Sequence, residues 1–210
     1  MKRYFFTLLF VPCALFVALL SYALGAVDKP TGFSGYLLDD RGFEKKNPDS
    51  IWREDFESDG VSWRYLYQDG DVKLRTHRRV QNYAYEGSRS EFISYEVKDP
   101  GVVILAHYVD YPSIYNDVEP SLWIRSDRPG VALAALVVFP KTLRPDNGEP
   151  LVAMIPGSAY KNPGEWQRLD FPAGLAKTLE STAQSLRGEY KLPVNTECAY
   201  VRQLLSLIHI

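Results

Sequence analysis

The chain has 210 residues, with 24 Lys and Arg against 26 Asp and Glu and only 2 Cys. That length supports one domain with a sizeable core. The slightly acidic balance offers no basic surplus for a nucleic-acid or anionic-membrane partner, and so few cysteines exclude a disulfide framework. The compositional anomaly is aromatic: 14 Tyr and 4 Trp. Such residues suit the pleated surfaces of a β-rich core; flat rings are also what sugar-binding faces use.

Lys2 and Arg3 precede an almost wholly apolar run from Tyr4 to Leu20, and Ala23-Leu24-Gly25 follows with small residues. This is the pattern of a secretory signal over residues 1–25. A membrane anchor is the competing reading. The run of about 17 apolar residues sits at the short limit of a span, and no basic stop-transfer cluster follows it. Cleavage would remove Cys13 and leave Cys198 alone, either as a buried small hydrophobe or awaiting a partner elsewhere. The protein is therefore expected to be exported, periplasmic or extracellular, touching membrane only through the transient signal. Residues 26–50 mix Gly, Pro and charge without a period and read as a flexible leader.

Period-two alternation then begins. Trp63-Arg64-Tyr65-Leu66-Tyr67 predicts a strand with three aromatics on one face, ending at the turn Gln68-Asp69-Gly70-Asp71. Val72–His77, Glu91–Val97, Val102–Tyr111 and Leu122–Arg125 predict further strands. Val131–Phe139 is continuously apolar between Pro129-Gly130 and Pro140, which predicts a strand buried on both faces. Leu151–Ile155 and Trp166–Phe171 follow. Leu175, Leu179, Ala183 and Leu186 recur at helical spacing, with Gly188 as the stop signal. The rhythm of turns is that of an antiparallel sandwich. The expected fold is all-β: an antiparallel β-sandwich with one amphipathic helix near the C-terminus, spanning residues 51–204.

Three motifs together resemble the jelly-roll domains attached to secreted bacterial glycoside hydrolases, of the carbohydrate-binding-module or galactose-binding-like type. They are Asp55-Phe56-Glu57 followed by Trp63; Tyr85-Glu86-Gly87-Ser88-Arg89-Ser90; and Gly164-Glu165-Trp166-Gln167-Arg168-Leu169-Asp170-Phe171. The stretch Trp123–Gly130 with Val137-Val138-Phe139-Pro140 is similar to the N-terminal domain of large secreted planctomycete-type proteins that carry a catalytic barrel downstream. Residues 205–210 (LSLIHI) resemble the in-frame reading of a sequencing adapter, which sets them aside as a tail artefact; a natural apolar strand is the alternative. On the adapter reading the last strand is cut in its middle, near Leu204.

The resemblance implies a structural calcium held by the early acids Asp55 and Glu57 and by the Gly87-Ser88 turn, with six to eight oxygens required in all. The alternative is that Glu57 simply caps a loop. It also implies a polysaccharide face. Candidates are Trp63, Tyr65, Tyr67, Tyr111, Tyr115 and Trp123, with Arg64, Asp110, Asn116 or Arg125 bonding hydroxyls; each ring taken singly suits a core better than a ligand face. Tyr83, Tyr85 and Tyr108 stand near strand ends. Nothing reads as an independent enzyme: G-x-S-x-G, H-E-x-x-H and C-x-x-C are absent from the sequence. His77 and His107 read as structural or surface residues, and Arg75 with Thr76-His77-Arg78-Arg79 as a basic cluster solvating a strand end. The function expected is that of a non-catalytic accessory domain holding polysaccharide; the alternative is a structural sandwich packed on a downstream catalytic domain.

Overall fold

The computed structural model describes residues 54–115 and 118–209. The export signal, the leader, residues 51–53 of the expected domain and Asn116 lie outside these. The described strands, in chain order, are β1 (Trp63–Gln68), β2 (Val72–Gln81), β3 (Arg89–Val97), β4 (Val102–Tyr108), β5 (Leu122–Ile124), β6 (Val131–Leu143), β7 (Pro150–Ala159), β8 (Gln167–Leu169) and β9 (Tyr200–His209). The described helix, α1, spans Leu175–Tyr190.

Five strands form one sheet in the order β1-β4-β9-β6-β7, while β2-β3 and β5-β8 form two-stranded ribbons. Every pairing is antiparallel. The inward residues of the ribbons (Val72, Ile93, Tyr95, Val97, Leu122, Ile124 and Leu169) join one core with Trp63, Leu105, Leu133, Phe139 and Ile155 of the large sheet. This is the all-β antiparallel sandwich that the alternation predicts. Burying a side chain such as Phe139, which has no exposed surface, contributes about 1.5–3 kcal/mol.

The strand Val131–Phe139 is buried on both faces, as its unbroken apolar run requires. Val131, Leu133, Ala135, Val137 and Phe139 line one side; Ala134 and Val138 on the other are also buried. Pro140 does not end it. The strand continues to Leu143, and the register against β7 shifts between Phe139 and Leu143, where an irregular ladder tolerates a residue without an amide proton.

Three corrections and one extension concern local structure. The helix buries Leu175, Leu179, Ala183 and Leu186 as the spacing predicts, but Gly188 lies inside it. The chain leaves at Lys191, whose φ is 55°, after the Arg187 guanidinium has donated to the Val194 carbonyl at 2.7 Å. Cys198 is exposed rather than buried, on a turn where its own φ is 59°. The strand at the C-terminal end runs past Leu204: Leu205–His209 pair with β4 on one side and β6 on the other. Trp63, Tyr65 and Tyr67 do not share one face, because a bulge against β4 falls between Tyr65 and Tyr67 and a bulge reverses the alternation. No helix among the described residues is long and apolar enough to cross a membrane.

Candidate functional site

Two exposed aromatic residues, Tyr85 and Trp123, and the half-buried Trp166 meet at the outer side of the β5-β8 ribbon. Leu122 and Ile124 face the core, so Trp123, between them, faces outward and keeps 39% of its surface exposed. Alternation is the cause. Tyr85, from the loop between β2 and β3, lies on the Trp123 indole with ring centroids 3.6 Å apart and planes only 13° from parallel. Trp166, entering β8, meets Tyr85 edge-on at 6.1 Å. Arg168 is the cross-strand partner of Trp123 and is exposed.

The platform is anchored from beneath. The Tyr160 hydroxyl is buried among the carbonyls of Ser126 at 3.0 Å, Asn162, and Glu165 at 2.8 Å, one of which takes its proton. Gln167 donates to the Ala159 carbonyl at 3.0 Å and accepts from the Lys161 amide at 2.8 Å. The loop carrying Trp166 is thereby tied to the chain just after β5 and to β7. Rings held this way present area without losing much side-chain freedom on binding.

The other sequence candidates are scattered. Trp63 is 6% exposed and packs in the core with its ring 5.4 Å from His107, so it offers no ring face to a ligand. Tyr65 is exposed on the edge strand, and Tyr67 is half-buried after the bulge. Tyr111 is 46% exposed and meets Tyr200 edge-on at 5.7 Å. Tyr115 is 67% exposed, on a groove that Lys177, Glu180 and Thr196 also line. Of the rings singled out from sequence as binding candidates, Trp123 alone belongs to the platform. Its partners Tyr85 and Trp166 come from distant segments; the sequence marks Tyr85 as a ring near a strand end and both residues as parts of separate motifs, without joining them to Trp123.

The calcium candidates come together without forming a cage. Glu57 accepts from the Ser88 amide at 2.7 Å, the Ser88 hydroxyl and the Arg89 amide at 3.1 Å. Asp55 turns aside to accept from the Glu57 amide at 3.0 Å. Ser88's hydroxyl and amide hold the Glu57 carboxyl below the ordinary carboxylate range. Calcium needs converging oxygens, whereas Glu57 is surrounded by hydrogen-bond donors. Among the described residues no cluster of three or more His, Cys, Asp or Glu could hold a metal, so these residues do not fit the ion. They form a clasp between the chain before β1 and the turn before β3.

Gly87 is required there. Its φ is +79°, and a Cβ would lie 2.5 Å from Glu57 Oε1. Gly87→Ala is expected to open the clasp and lose about 1–3 kcal/mol through backbone strain, read as a lower urea midpoint. An unchanged midpoint would contradict this geometry.

A second polar cluster is buried between β1 and the β2-β3 ribbon, and it replaces the expected solvated basic patch. Glu91, 3% exposed, pairs with Arg79, 6% exposed, at 2.7 Å and with His77 Nε2 at 2.6 Å. The same carboxylate accepts from the amides of Ser62 at 2.8 Å and Trp63 at 3.0 Å. Arg79 also donates to the Ser62 hydroxyl and lies 4.8 Å from the centre of the Phe56 ring. Arg75, at the exposed end, pairs with Glu96 instead. Both oxygens of the Glu91 carboxylate are thus engaged in holding β1 to the β2-β3 ribbon.

Tyr95 adds a pH-dependent feature. Burial, and secondarily the neighbouring Tyr65, pushes its phenol up to about 12 from an ordinary 10. The unfolded chain ionises first, so this contribution is complete below pH 10 and lost as pH rises from 10 to about 12. Unfolding free energy is expected to fall over that interval, and Tyr95→Phe is expected to flatten the slope. An identical slope in the variant would contradict the assignment.

Comparison with known proteins returns no matching family model, curated protein or solved structure. The functional reading therefore stands on the chain's own geometry.

Proposed function

We propose that this chain is a non-catalytic jelly-roll domain of an exported carbohydrate-active protein, and that it holds polysaccharide by stacking sugar rings on aromatic side chains. The observation that carries the reading is the group in which exposed Tyr85 and Trp123 stack and half-buried Trp166 meets them edge-on, on the outer side of the β5-β8 ribbon. A pyranose ring has an apolar face of C–H groups and a rim of hydroxyls. It therefore suits a flat indole edged by polar side chains, and binding needs no covalent step. A platform whose rings had all turned inward would instead favour a purely structural sandwich seating a downstream catalytic domain.

Affinity electrophoresis of the domain through gels containing soluble polysaccharides tests the proposal. Retardation by at least one glycan is expected, with Trp123→Ala weakening it about tenfold or more, since one decade corresponds to only about 1.4 kcal/mol. Equal mobility in every gel would reject the binding role.

A further inference from the structure

The two arginines of the platform suggest which kind of polysaccharide it would take. Arg168 lies directly across from Trp123 in the β5-β8 ladder, on the outward face. Arg125 follows Trp123 by two residues, immediately after the end of β5; both arginines are exposed. Four guanidinium groups are ion-paired, Arg75 with Glu96, Arg79 with Glu91, Arg89 with Asp59 and Arg144 with Asp146. Arg64, Arg78, Arg128 and Arg202 form no ion pair with any described residue, so what distinguishes Arg125 and Arg168 is their place beside Trp123. Arg125 and Arg168 enter no ion pair or side-chain hydrogen bond with any described residue, and neither stacks on the neighbouring indole. One unengaged fork thus lies directly across from the exposed Trp123 ring and a second follows it just past the strand end, in a chain whose overall charge is −2.

We infer that the platform recognises an acidic polysaccharide, with a pyranose ring on Trp123 and its carboxylate or sulfate ester held by Arg168 and Arg125. This rests on the polysaccharide-binding reading and names the ligand class within it. Guanidinium is suited to the task because its planar N–H fork matches both oxyanions bidentately and is weakly hydrated. Opposed residues in an antiparallel ladder have Cβ atoms about 5 Å apart. A ring seated on the indole therefore brings a substituent on its rim within reach of the Arg168 side chain. The acidic net charge of the chain argues that attraction is local to this face rather than a property of the whole molecule.

The test is affinity electrophoresis in three gels: polygalacturonate for carboxylates, a sulfated galactan for sulfate esters, and an uncharged galactan. The variants are Arg125→Gln with Arg168→Gln together, Trp123→Ala, and Arg78→Gln as an exposed charge control on β2. Each is first checked for an unchanged melting transition. Retardation is expected in one or both acidic gels, weakened about tenfold or more in the double arginine variant, lost in Trp123→Ala and retained in Arg78→Gln. Preference for one acidic gel identifies the oxyanion. Acidic binding that survives the double substitution, or falls equally in Arg78→Gln, would overturn the inference. Retardation by the uncharged galactan alone would overturn it while leaving the broader polysaccharide proposal standing. Free migration in all three gels would remove both.

Discussion

Replacing Glu91 with Ala is expected to destabilise the domain by about 3–5 kcal/mol, the scale observed when one partner of a buried ion pair is deleted. The carboxylate is 3% exposed and its main partner Arg79 only 6%, so removal leaves a guanidinium buried without an anion. The amides of Ser62 and Trp63 lose their acceptor in the same step, and each stranded donor adds a desolvation cost. Against a typical total of about 5–15 kcal/mol, that is enough to unfold a marginal domain. Urea denaturation measures it. A double substitution, Glu91→Gln with Arg79→Met, is expected to recover part of the loss because it removes the stranded charge. A change below about 1 kcal/mol for Glu91→Ala would contradict the buried network.

Removing residues 205–210 is expected to have an effect at least as large. Leu205 is 1% exposed, Ser206 6% and Leu207 4%, and the segment lies between β4 and β6, bonded to both. Deleting one buried Leu typically costs about 2–5 kcal/mol; two Leu and the ladder bonds of both neighbours together approach the whole stability of a domain. The shortened chain is expected to lose near-UV circular dichroism and its cooperative urea transition. A truncated protein with a native transition would mean that β4 and β6 do not depend on this half of β9.

What could be read from the sequence divides along local and non-local lines. The apolar run Val131–Phe139 and the helical spacing of Leu175, Leu179, Ala183 and Leu186 are properties of contiguous residues, and both elements form where they point. Residues 205–209 lack a clean alternation, and their place in β9 comes from pairing with β4 and β6, which lie far away in the chain. The bulge between Tyr65 and Tyr67 depends on how β4 pairs with β1, and nothing within Trp63–Tyr67 announces it. Arg79 looks like one member of a solvated basic cluster until Glu91, on the neighbouring strand, brings it inside.

The candidate site was only partly legible for the same reason. Trp123 stood out as a ring near a strand end. Its stacking partner Tyr85 and the edge contact of Trp166 join three segments whose proximity is set by the β5-β8 pairing and by the loop before β3. The Glu57, Gly87 and Ser88 motif did mark a real meeting place, but residue type alone could not say whether the carboxylate would face a cation or a set of N–H groups. Only the direction of the donors distinguishes these.

The 4 tryptophans make the central claim directly observable through their indole N–H resonances. Titrating the 15N-labelled domain with the oligosaccharide whose polymer retards it most should shift Trp123 and Trp166 in a saturable way and leave buried Trp63 in place. Saturable binding that moves neither Trp123 nor Trp166 would contradict the platform as the site where the chain meets its ligand.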